Sequence, residues 1–392
     1  MEQHHAVVIG AGIGGLTAAA ALHHQGWTVT VLERAAALAP VGAGIALAPN
    51  ALRALDTIGL GDDIRALSAW QGDGGVRAPG GRWLSRTDSR AAARRFGGPL
   101  VLLHRATLID LLLSRLPAGT LRTGSPATPA EAGGTGRPAL VTTPTGEIGA
   151  DLVVAADGIA SPARRALFPG HPQPAYAGFT TWRMVVPGPD RPFAPHETWG
   201  RGMMWGSQPL KDGRVYAYAG AVVPAGGRAP DERAELLRRF GDWHHPVPDI
   251  LAAADPATVL RHDVHTMAVP LPAYHRGRTA LLGDAAHAMP PSLGQGGNQA
   301  VEDAVVLAHR LAAPGATVPD ALAAYTRDRL PRTTDVTRRS ARAARLSTLG
   351  SRPGVALRNT VLTAAGLLAP GLGLRALDGI ADWRPPTHPY AA

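Results

Sequence analysis

At 392 residues, 45% of them hydrophobic and 18% charged, the chain is long enough for two or three buried cores and has the composition of an ordinary globular protein. Its net charge of +9 comes from arginines scattered among alanine, glycine and proline, with Lys211 the only lysine. The densest basic runs, RRAL from 164 and TRRSARAAR from 337, are too short for a nucleic-acid-binding face, and the absence of cysteine excludes disulfides and thiolate-held metals. No metal is expected, and any redox chemistry must come from a bound cofactor.

The opening MEQHHAVVIG has no charged leader followed by a long apolar run, which predicts a cytoplasmic protein. Residues 5–34 read as a βαβ unit, in which the apolar strand AVVIG leads through glycines into the alanine-rich helix LTAAAALHHQG and then the strand TVTVLER. The stretch GAGIGG supplies Gly10, Gly12 and Gly15 in dinucleotide-binding spacing, with Gly14 inside it; Glu33 ends the second strand, followed by Arg34. Gly10 permits the tight turn, Gly12 lets backbone approach a pyrophosphate, and Glu33 can accept hydrogen bonds from a ribose. An adenine dinucleotide is expected, and the motif by itself does not choose between NAD and FAD.

Proline and glycine mark loops at 72–81 and 124–138, and DLVVAADG from 151 is a buried strand ending in Asp157 and Gly158. Asp157 can orient a bound sugar or cap its own loop, and Arg164 can offer a fork to a phosphate. Between about 175 and 270 the texture changes to short alternating runs such as GRVYAYAGAVV, the mark of antiparallel strands in a separate inserted sheet domain. From 279 the strand TALLG delivers Asp284 to the sheet end, and PPSLGQGGNQA brings Gly294, Gln295, Gly296, Gly297 and Asn298 to the start of a helix. Such bare amides at a helix N-terminus would stabilise the negative edge of a reduced flavin. The apolar run NTVLTAAGLLAPGLGL at 359–374 falls short of the ~20 residues a membrane span needs and reads as a helix packed on the body.

Taken together, GAGIGGLTAAAAL, VLERA, VGAGIALAPNALRALDTIGLGD, LHRATLIDLL, the DG stretch and GDAAHAMPPSLGQGGNQAVEDA resemble one family over nearly the whole chain: the single-component FAD-dependent monooxygenases of the aromatic hydroxylase type. The resemblance implies an α/β fold with a discontinuous Rossmann-like FAD-binding domain (1–70, 100–172 and 272–345), an inserted, mainly antiparallel β-sheet substrate domain (71–99 and 173–271) and C-terminal helices (346–392). It implies that Arg105, Asp157, Asp284 and the Gly294 to Asn298 loop contact FAD. It further implies reduction by NADH or NADPH, reaction with O2 to a flavin C4a-hydroperoxide, and transfer of oxygen to an aromatic or polycyclic small molecule. No second G-x-G-x-x-G follows a later strand, so the nicotinamide would be admitted transiently rather than held by its own domain.

Within the family the chain is similar to urate, salicylate and 3-hydroxybenzoate hydroxylases and to carotenoid epoxidases. Tyr216 matches a tyrosine that urate hydroxylases place near the ring, whereas the position of their partnered arginine holds Met204, which counts against urate. Arg183 can offer a cation to an acidic substrate, Met204, Trp205, Tyr218 and Pro290 an adaptable wall, and His196 or Tyr216 a group that helps deprotonate a phenol. His287 reads as a hydrogen-bonding residue at a strand end. The alternatives left open are a flavin-dependent oxidase or dehydrogenase, a two-component system, a non-enzymatic FAD binder, and epoxidation or Baeyer-Villiger insertion in natural-product tailoring. The protein is expected as a monomer or homodimer without nucleic-acid partners or stable membrane insertion.

Overall fold

The computed structural model describes residues 4–38, 43–68, 73–368 and 371–386. The first elements in chain order are β1 (His5–Ile9), α1 (Ile13–His24), β2 (Thr28–Leu32), β3 (Gly44–Leu47) and α2 (Pro49–Asp56). Next come β4 (Gly74–Arg77), β5 (Trp83–Thr87), β6 (Val101–His104), α3 (Arg105–Leu113), β7 (Leu152–Ala155) and α4 (Pro162–Leu167). The long middle section adds β8 (Ala175–Pro187), β9 (His196–Trp199), β10 (Met203–Pro209), β11 (Arg214–Ala221), α5 (Glu232–Phe240), α6 (Val247–Ala253) and β12 (Leu260–Thr266). The chain closes with β13 (Thr279–Leu281), α7 (Asp284–His287), α8 (Gly296–Leu311), α9 (Val318–Ser347) and α10 (Arg352–Leu368).

Among the described residues, β13, β7, β1 and β2 lie side by side and parallel, extended by the short strands Leu121–Arg122 and His275–Arg276 into a six-stranded sheet. These strands are buried on both faces, so they read as continuous apolar runs without alternation. Helix α1 is built almost wholly of small residues because it is wedged between this sheet and α8, and Leu16, Ala18, Ala19 and Leu22 are buried. A Cβ on Gly14 would stand 2.5 Å from Leu282 Cδ2 and 3.0 Å from the Ala300 Cβ. Close helix packing by itself therefore requires glycine at Gly14.

The second sheet is mainly antiparallel, in the order β12-β8-β11-β10-β9-β4-β5, with β9 and β4 paired in parallel. One of its faces packs on α5, α6 and Trp243. Helix α10 lies against β5, and Arg358 ties it in by donating to the Trp199 and Gly200 carbonyls, each at 3.2 Å. The fold is the mixed α/β arrangement expected from the sequence. Among the described residues no helix is long and apolar enough to cross a membrane.

Candidate active site

Successive residues of a strand point to opposite sides, so the second sheet sorts its side chains onto two faces. Trp182, Met184, Trp205 and Ala217 enter the core against α5 and α6. His196 and Trp205, both expected at the substrate, belong to this back face. The His196 ring is 2% exposed, donates Nδ1 to the Ala194 carbonyl at 2.7 Å, and is packed by Trp83, Phe193 and His244. Burial, together with nearby Arg77, lowers its pKa to about 4, so it is neutral at pH 7. Trp205 is fully buried 5.5 Å from Phe240 and donates Nε1 to Ser207 Oγ. Trp205→Ala is thus expected to cost about 3–5 kcal/mol of stability. Met204→Leu, a change on the other face, should cost less than about 1.5 kcal/mol while changing substrate preference. Thermal melts and a substrate panel on the two variants check the assignment of faces.

The front face carries Arg183, Met204, Tyr216, Tyr218 and Glu197. The register sets Arg183 opposite Tyr218, and both Tyr218 and Glu197 opposite Gly206. Any Cβ on Gly206 would collide with the Tyr218 ring. The missing side chain lets that ring cross β10 and donate its hydroxyl to Glu197 Oε1 at 2.6 Å, while Trp199 Nε1 donates to Glu197 Oε2 at 2.7 Å. Burial pushes the Glu197 pKa up and these two hydrogen bonds oppose it. Burial also raises Tyr216, against the pull of Arg183, and raises Tyr218 well above its ordinary value, helped by the Glu197 charge. Glu197 was not singled out from the sequence. Its only signal was an acid inside a strand that pairs, two strands over, with a tyrosine.

The two-stranded antiparallel ribbon of β3 and β6 meets this row. A Cβ on Gly44 would lie 2.5 Å from the Tyr216 ring, so β3 meets the second sheet at that tyrosine. Arg105, at the start of α3, has its pKa lowered by burial and by Arg183, with Asp284 opposing. Arg105 and Arg183 make no side-chain hydrogen bond or ion pair with any described residue. Two neighbouring unpaired guanidinium groups favour an anionic ligand between or beside them.

Around them the backbone fits a dinucleotide. Gly10 adopts φ +102, in a turn where a Cβ would meet the Ala156 carbonyl, whereas the space over Gly12 is open. Helix α1 has no side-chain cap, so its first amides are free to meet a pyrophosphate. Glu33 accepts from Ala11 N at 2.8 Å and Ala35 N at 2.9 Å, which fixes the glycine turn to the end of β2 and leaves further lone pairs for a ribose. Arg34 is exposed beside it. At the other end, α8 also lacks a side-chain cap, Gly294 and Asp284 are exposed, and Gly296 and Gly297 open the helix.

Several side chains expected at the cofactor are otherwise engaged. Asn298 is 1% exposed, accepts from Ala48 N and donates to the Ala46 and Gly294 carbonyls, clipping β3 to α8. Gln295 is turned inward and accepts from Asn50 and Gln299. These two can offer a ligand only backbone. Asp157 accepts from Ala163 N at 3.0 Å, capping its own loop, and burial raises its pKa. Its second oxygen is buried without a partner. Arg164 does not reach a phosphate: it is 1% exposed and donates to the Ala285 and Ile159 carbonyls. Pro290 is buried beside the turn at 291–293. His287 is 3% exposed and pairs with Asp303 at 2.6 Å.

Comparison with known proteins agrees with this geometry. Residues 3–340 match the family model described as "FAD binding domain". The chain is 39% identical over 334 residues to an aurachin C monooxygenase/isomerase of Stigmatella aurantiaca, covering 84% of this chain and 86% of that one. It is 35% identical over 315 residues to an FAD-dependent urate hydroxylase of Klebsiella pneumoniae, covering 77% and 80%. The solved structure of Klebsiella pneumoniae HpxO complexed with FAD and uric acid superimposes with a TM-score of 0.86 at 28% identity, over 97% of this chain and 96% of that one.

Proposed function

The chain belongs to the FAD-binding-domain family of flavin-dependent monooxygenases and hydroxylases, and on that premise we propose that it is a single-component enzyme. In this reading it uses NADH or NADPH and O2 to hydroxylate an aromatic or polycyclic small molecule. The observation that carries the reading is the front-face row from Arg183 through Tyr216 and Tyr218 to Glu197, turned toward the glycine-rich elements that fit FAD.

Bound FAD, once reduced, would supply the activation of O2, one atom of which goes to the substrate and the other to water. The chain supplies the rest. The uncapped amides of α1 would hold the pyrophosphate, and those of α8, with Arg105, would balance negative charge on the reduced ring. Arg183 would neutralise charge on the substrate. A phenolic hydroxyl resting on Tyr218 Oη would pass its proton to Tyr218 as Tyr218 passes its own to Glu197 Oε1, which makes the ring carbon electron-rich. Tyr216, its ring tilted against Tyr218 at 5.5 Å and pressed on β3, would hold the ring and keep water out. A proton acceptor of this kind favours hydroxylation of a phenol or heteroaromatic over Baeyer-Villiger insertion, which requires no ring deprotonation. Met204 leaves no cation at that place on β10, so the expected substrate is one that presents a hydroxyl or ring N–H there in place of an anionic group.

The test is NADH and NADPH oxidation by FAD-loaded protein across phenols, heteroaromatic acids and polycyclic ketones, with hydrogen peroxide measured. One compound should raise the oxidation rate while peroxide falls. Failure of both nicotinamides to reduce the flavin would sink the single-component reading and leave the oxidase or two-component alternatives.

A further inference from the structure

The basic run at 337–345 lies on α9, whose arginines face different ways. Arg329, Arg332 and Arg339 point into the body and are engaged by carboxylates or backbone carbonyls. Arg338, Arg342 and Arg345 share another face, at i, i+4 and i+7. Arg338 and Arg342 donate to no described residue, and Arg345 reaches only the Ala341 carbonyl at 3.3 Å. Like charges at this spacing repel, so the helix alone does not favour them.

All three are exposed and line one solvent-open cavity of about 330 Å³, bounded on its other sides by the segment 266–270 and by Ala286 and His287 of α7. No carboxylate is among its described lining residues. Two further lining residues, His287 and Thr337, each carry a buried polar atom, Nδ1 and Oγ1, that has no hydrogen-bond partner. His287 is itself 3% exposed, and Asp303 fixes its other nitrogen at 2.6 Å.

We propose that this cavity binds a phosphate or diphosphate ester, held by the guanidinium groups of Arg338, Arg342 and Arg345 with His287 and Thr337 at its floor. The charge is of one sign, the donors are unspent, and arginine forks match phosphate oxygens. The volume lies near the lower limit of small-molecule sites, large enough for a phosphorylated sugar and too small for a whole dinucleotide. The helical turn that forms its floor also carries Asp284, so an occupant sits one turn of backbone from the flavin elements. Two sources share this chemistry: the phosphates of the nicotinamide donor, and a free phosphate or nucleotide. The anion site stands without the monooxygenase reading, and only its identification with the electron donor rests on that reading.

The experiment is calorimetric titration of FAD-loaded protein with inorganic pyrophosphate and with 2′,5′-ADP at low ionic strength. It is run on the parent, Arg342→Gln, the pair Arg338→Gln with Arg342→Gln, and the exposed control Arg352→Gln. The pair should bind at least about tenfold more weakly, Arg342→Gln should fall between, and the control should match the parent. Equal binding by the parent and the pair, or no binding of either anion by the parent, overturns the proposal. Anaerobic flavin reduction then separates the sources. If the donor's phosphates dock here, half-saturation with NADPH rises by the same factor at unchanged limiting rate. If a free anion docks here, half-saturation is unmoved while the calorimetric loss remains. Absence of any flavin reduction in the parent counts against the functional reading and leaves the calorimetric answer standing.

Discussion

Arg329→Met is expected to lower the midpoint of thermal unfolding by on the order of 5 °C, corresponding to about 3–5 kcal/mol. Arg329 is 1% exposed and lies between two carboxylates that are wholly buried, donating to Asp303 Oδ1 at 2.7 Å and Glu302 Oε2 at 2.6 Å. It also donates to the Gln299 side chain at 2.9 Å. His287 holds the far oxygen of Asp303, and Arg332 the far side of Glu302, so these charged groups and Asn50, Gln295 and Gln299 form one network beneath α8. Burial pushes the Asp303 pKa up, yet His287 and Arg329 more than offset it and hold it at about 2. Because that value is depressed, the stabilisation is complete above the ordinary carboxylate range of about 4 and is lost as pH falls through about 2. Removing Arg329 leaves buried charge uncompensated, which is the costly way to break such a network. Arg65→Ala is the control: its bonds to Asp56 and Asp62, at 2.6 and 3.0 Å, lie at the surface and should contribute about 1 kcal/mol or less. Melts of the two variants at pH 7 that shift equally would contradict the account.

Glu197→Gln is expected to slow product formation by about 10²- to 10⁴-fold, the usual contribution of a positioned base. The substituted amide would still accept a hydrogen bond from Tyr218 and fill the same volume, so the loss would report the proton rather than the packing. The pH profile carries the more specific signature. With a pKa raised by burial, Glu197 is protonated over a wider acid range than an ordinary glutamate, so the parent should lose activity as pH falls through that raised value. The acid limb should be absent in Glu197→Gln. Gly206→Ala should give a similar loss by a different route, since its Cβ displaces the Tyr218 ring from its path to the carboxylate. An unchanged acid limb in Glu197→Gln would remove Glu197 from the mechanism.

The glycine turn, the βαβ unit and the second strand-to-helix crossing were legible because they are local: a few residues fix turn geometry and a run of small apolar residues fixes burial. The front face was only half legible. Met204 and Trp205 are adjacent and equally conspicuous, but period-2 alternation sends them to opposite sides, and nothing in a strand apolar on both faces says which side is the pocket. His196 looked available until Trp83, Phe193 and His244, brought in from three separate segments, enclosed it. In the sequence Gln295 and Asn298 are continuous with their glycine neighbours and look like part of one ligand loop. Each step along a helix turns the side chain by about 100°, and these two face inward. Glu302 and Asp303 sit side by side inside the apolar stretch NQAVEDAVVLA and were not singled out from the sequence, because their arginine partners lie on the next helix, a tertiary pairing that spacing does not reveal.

The most direct test of the central claim is isotopic. With a substrate identified from the oxidation panel, turnover is run under ¹⁸O₂ in ordinary water and the product weighed by mass spectrometry. The account predicts one ¹⁸O atom in the product for each NAD(P)H consumed in productive turnover. A product whose new oxygen comes from water, or one formed with all the ¹⁸O recovered as hydrogen peroxide, would contradict it and point to an oxidase built on the same FAD-binding fold.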